Sequence, residues 1–98
     1  MSPRKKKITS VGGSWEDIKL KINEKVRQRL EMRHILDDDI KQVIHHAEIT
    51  GEKLYQIDSD KLLAKLRIGS ATFYVEYSQG TGSFIVESAY AHKSEIIG

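Results

Sequence analysis

The chain has 98 residues, 39% of them hydrophobic and 31% charged, with a formal net charge of +2 and no cysteine. That length makes one small domain, and no apolar run reaches the ~18–20 residues that a membrane-crossing helix needs. The missing thiols exclude disulfides, thiolate zinc sites, cysteine nucleophiles and any iron–sulfur cluster ligated by this chain alone.

Residues 1–13, MSPRKKKITSVGG, hold the single proline, the run Arg4, Lys5, Lys6 and Lys7, and a Gly-Gly pair. They are expected to form a flexible basic tail ahead of one domain spanning 14–98. The tail has four cations and no acid, so the net +2 of the whole leaves −2 for the rest. No apolar segment follows the basic run. A secretory signal is therefore not expected, and a cytoplasmic protein is.

Ser14 reads as an N-cap, with Glu16 and Asp17 near the positive end of a helix dipole. Trp15, Ile18, Ile22, Val26 and Leu30 follow at spacings of three and four, which predicts one amphipathic helix over 15–33. Trp15 is expected to anchor its apolar stripe. Asp37, Asp38 and Asp39 open a second helix, predicted over 38–50, with Ile40, Val43, Ile44 and Ala47 on its buried face. Gly51 should end it in a left-handed conformation.

Beyond Gly51 the period changes to two. KLYQI reads as a short strand and Asp58-Ser59-Asp60 as a turn. Leu62, Ala64, Leu66 and Ile68 alternate with Leu63, Lys65 and Arg67, and Gly69-Ser70 turns the chain. Ala71, Phe73, Val75 and Tyr77 alternate with Thr72, Tyr74 and Glu76. QGTGS reads as a hairpin loop, and the last strand is expected to carry Phe84, Val86, Ser88 and Tyr90 on one side, with SEII extending it. The expected fold is α+β: two N-terminal helices on one face of an antiparallel meander of three or four strands. Leu63, Tyr74, Ile85 and Ala89 would then lie on the far face, leaving it partly apolar and suited to a partner.

Catalytic and metal chemistry find little support. His45 and His46 are adjacent on a helix and point about 100° apart, so a metal site would have to draw on His46, Glu48 and His92 without any helical ligand spacing. His34 precedes the second helix. Ser70, Ser78, Ser83 and Ser88 are nucleophiles by residue type only, and none lies in an elbow motif. GTGS has no helix behind it and makes a poor phosphate cradle. The sequence thus predicts no enzyme, no cofactor and no metal.

The stretches DDDIKQVIHHAEITGEKLY, LLAKLRIGSATFYVEY and SAYAHKSEI, over about residues 35–97, resemble a small module that accompanies flavin-dependent pyridine nucleotide oxidoreductases of the glutamate-synthase small-subunit type from anaerobic microbes. That resemblance implies a non-catalytic accessory domain, with flavin, nucleotide and clusters carried by a protein partner. The expected partner surface is the sheet face with Arg67, Tyr74, Glu76 and Tyr90, with His46 and His92 at its rim. The competing reading is a small nucleic-acid-binding protein. It would use Arg4, Lys5, Lys6 and Lys7 of the tail, Lys19 and Arg29 of the first helix, and strand aromatics able to stack bases.

Overall fold

The structure, a computed structural model, describes residues 14–93. Trp15–Asp17 form a single 3-10 turn, capped by the Ser14 hydroxyl accepting from the Glu16 N–H at 3.1 Å. The elements then run β1 (Leu20–Ile22), α1 (Glu24–Met32), α2 (Asp37–Thr50), β2 (Leu54–Tyr55), β3 (Leu62–Ile68), β4 (Ala71–Gln79) and β5 (Phe84–Lys93).

The single helix expected over 15–33 is therefore corrected to a turn, a strand and a shorter helix. Ile18, Leu20 and Ile22 alternate with Lys19 and Lys21, so this stretch fits a strand as well as a helix. Tertiary pairing decides the matter, because Leu20, Lys21 and Ile22 lie beside Phe84, Ile85 and Val86 in parallel. Asn23 then starts α1, its side-chain oxygen accepting from the Val26 N–H at 2.9 Å.

The second helix matches its expected span to within a residue. Asp39 reaches back from the first turn, its carboxylate accepting from the Leu36 N–H at 3.1 Å. Gly51 ends the helix at φ 78°, and its N–H donates to the Ala47 carbonyl at 2.8 Å.

The sheet has five strands in the order β1-β5-β4-β3-β2, antiparallel except for the β1–β5 pair. The α+β class holds, but the purely antiparallel meander of three or four strands does not. The KLYQI strand contracts to Leu54–Tyr55, paired with Leu63 and Leu62. The expected extension through SEII and the basic tail lie outside the described residues.

Both helices cover one face, α2 against β3 and β4 and α1 against β5. Ile40, Val43, Ile44 and Ala47 of α2 are fully buried on Leu62, Ala64, Val75 and Tyr77. Val26 and Leu30 of α1 join Val86 and Ala89 in the same core. Arg33 ties α1 to the sheet, donating to the Ala89 carbonyl at 2.7 Å. Trp15 is half-buried and stands outside the core cluster.

One irregularity decides which side chains face out. Glu76 pairs with Ser88 but Tyr77 pairs with Val86, so Glu87 is an extra residue in β5. This bulge shifts the alternation by one position. Phe84 and Val86 face the helices as expected, whereas Ser88 and Tyr90 do not. Ala89, expected on the far face, is buried under the helices instead.

Candidate functional site

The face of the sheet away from the helices is uncovered over its centre, and its surface is organised in rows by strand register. The end row is Arg67, Thr72 and His92, and the next is Lys65, Tyr74 and Tyr90. A third row holds Leu54, Leu63, Glu76 and Ser88. The Tyr74 and Tyr90 rings stack with centroids 4.8 Å apart and planes within 14°. They form a directly opposed cross-strand pair, and Tyr90 keeps 45% of its surface exposed.

The charges divide along this face. The two rows around the tyrosines contain Lys65, Arg67 and His92 and no acid. The acids Glu76 and Glu87 lie toward the other end and are engaged: Gln56 donates to Glu76 at 2.6 Å, and Lys61 stands 4.0 Å from Glu87. Arg67 donates through Nε to the Gly69 carbonyl at 3.1 Å. This bond sets its direction beside the β3–β4 turn, where Gly69 has φ 65°, and leaves the rest of the guanidinium fork for a ligand.

Beside Tyr74 runs a groove of about 560 Å³, lined by Gly51, Glu52, Lys53, Leu54, Leu63, Ala64, Lys65 and Tyr74. One ring face of Tyr74 is taken by Tyr90 on the β5 side. The groove lies on the β3 side, against the other ring face.

Five of the six residues expected at a partner surface share this face: Arg67, Tyr74, Glu76, Tyr90 and His92. His46 does not join them. It sits on α2, on the opposite side of the sheet, with Nε2 3.2 Å from Glu52 Oε1. The metal set of His46, Glu48 and His92 is split in the same way, and no group of three or more metal-ligating side chains occurs among the described residues. Arg29 and Lys19 also lie away from the open face. Arg29 is on the exposed side of α1, and the Lys19 carbonyl accepts from the Phe84 N–H at the sheet edge. Of the candidate serines, Ser78 is buried and Ser88 stands opposite Glu76, while Ser70 and Ser83 occupy turns.

Sequence reasoning passed over Lys65 and Thr72 as site residues. Their signal was the hairpin register: once Ile68 pairs with Ala71, Lys65 must stand beside Tyr74 and Thr72 beside Arg67. It also missed a polar cluster on the helix side. Glu48 accepts from the Tyr77 hydroxyl at 2.6 Å, from Lys53 at 2.7 Å and from Gln79 at 3.2 Å. Burial is the main cause that pushes the Tyr77 phenol pKa far above its ordinary value, with the Glu48 hydrogen bond adding to it. Each group in this cluster satisfies another, so its role is to fix α2 and the approach to β2 on the sheet.

Comparison with protein-family models, with curated proteins and with solved structures gives no match.

Proposed function

We propose that this protein is a non-catalytic module that binds single-stranded nucleic acid on its open sheet face. One observation carries the reading. The stacked Tyr74–Tyr90 pair lies exposed in a row between cationic neighbours, on a face that no helix covers. Aromatic rings on a sheet accept bases of any sequence through their π-faces, and adjoining Lys and Arg side chains neutralise the phosphates. The basic tail, though outside the described residues, would add to the same electrostatic attraction.

Fluorescence anisotropy with labelled oligouridylate and oligodeoxythymidylate at low salt tests this directly. Binding is expected to weaken about tenfold or more in Tyr74→Ala, the usual loss for one stacked base. No binding to either probe would falsify the reading.

A second reading follows from the apolar residues at the β2 end. Leu54, Tyr55 and Ile57 are 67%, 74% and 90% exposed beside a strand only two residues long. Such a patch suits a protein partner. The resemblance over residues 35–97 names its class, a flavin-dependent pyridine nucleotide oxidoreductase. In this reading, Tyr55→Asp should abolish co-purification with that flavoprotein while leaving oligonucleotide affinity unchanged.

A further inference from the structure

We infer that the groove between Tyr74 and the chain leading into β2 is a subsite for one guanine base of the bound strand; this rests on the nucleic-acid reading above. The groove has the parts such a site needs. Its wall is the free ring face of Tyr74, and its floor is apolar, made by Leu54 and Leu63. A flat ring entering there extends the Tyr90–Tyr74 stack by one member.

The polar residues at the margins choose among the bases. Glu52 and Lys65 line the same groove, one an acceptor and the other a donor. The Glu52 side chain is 75% exposed, and one of its oxygens lies 3.2 Å from His46 Nε2. That contact directs the carboxylate without using up its acceptor capacity. Guanine alone presents two adjacent donors, N1–H and the N2 amino group, that match both oxygens of a carboxylate. Its O6 and N7 are acceptors for an ammonium such as Lys65. Uracil offers a single ring N–H, and adenine offers an amino group next to an acceptor that would face the carboxylate unfavourably. A purine also covers more of the Tyr74 ring than a pyrimidine does. With Lys65 occupied at the base edge, Arg67 in the adjoining row is the cation placed for the neighbouring phosphate.

The experiment uses the full chain and four labelled oligouridylates of equal length: all-uridine, and one central guanosine, adenosine or inosine. The guanosine probe should bind about tenfold more tightly than the adenosine and all-uridine probes, the discrimination one bidentate pair gives. Inosine, which lacks the N2 amino group, should fall between. Glu52→Gln should bring the guanosine probe down to the all-uridine value. Equal affinity for all four probes overturns the guanine subsite and leaves the nucleic-acid reading standing. A guanosine preference that survives Glu52→Gln also overturns it, because the selecting group is then elsewhere. Binding to none of the probes removes both readings.

Discussion

Each face of the sheet carries an aromatic pair, and the two pairs are built differently. On the helix side, Tyr77 and Phe84 meet edge to face, with centroids 5.7 Å apart and planes at 76°. Tyr77 is fully buried there and its hydroxyl donates to Glu48. On the open side, Tyr74 and Tyr90 lie nearly parallel at 4.8 Å. The perpendicular pair uses ring edges and faces together and leaves no surface for anything else. The parallel pair turns a complete ring face toward the groove. Burial thus makes one tyrosine a structural element, and exposure makes its neighbour in sequence register a recognition element.

Tyr77→Ala should give the largest effect on stability, a loss of about 3–5 kcal/mol from removing a buried ring. A denaturant midpoint measures it, and a variant that melts like the parent would show the inner face to be misassigned. Glu48→Ala should follow at about 3 kcal/mol, since it strands Lys53 and the Tyr77 hydroxyl, both nearly enclosed. The next effect appears in alkali. The Tyr77 phenol is held neutral in the folded chain, whereas in the unfolded chain it ionises near ~10. Its contribution is whole below that pH and is lost as pH rises further, because only the unfolded chain releases the proton. Thermal melts of Tyr77→Phe above pH ~10 should therefore fall less steeply than those of the parent.

Across the sheet the same residue type should behave in the opposite way. Tyr74→Ala should cost less than ~1 kcal/mol of stability, the scale of one exposed cross-strand pair. If it unfolds the chain instead, the contrast between the faces collapses. The smallest change in stability, within about 0.5 kcal/mol, belongs to Lys65→Ala with Arg67→Ala. That double variant should nonetheless lower the salt slope of oligonucleotide binding by ~1.4, as expected for two lost phosphate contacts on a single strand.

Much of this contrast was legible in local pattern. Alternation placed Phe73, Val75 and Tyr77 inward and Tyr74 outward, and Gly69-Ser70 fixed the β3–β4 register. The stripe of α2 and its glycine stop were equally plain. Two features escaped because their causes are not local. The β1 strand exists through pairing with Phe84–Val86 at the far end of the chain, and a helical spacing across Ile18, Ile22 and Val26 concealed it. The bulge at Glu87 shows in sequence only as Val86 and Ala89, two core residues three apart where alternation calls for two. Tyr90 reaches the recognition face through that one extra residue. The open row was therefore half visible, with Tyr74 assigned by pattern and Tyr90 set beside it by the bulge.

The parallel pairing of β1 with β5 also sets an order of events during synthesis. The β3–β4 and β4–β5 hairpins close through short turns and need only neighbours in sequence. The β1 strand leaves the ribosome early, yet its partner is the last strand described. Until β5 has emerged, Leu20 and Ile22 have no sheet edge to join, and closing so long a loop is the slowest contact to form. During that interval the first segment is a bare amphipathic strand. Docking of β1 should be the final step that converts a helix-and-meander intermediate into the finished five-stranded sheet.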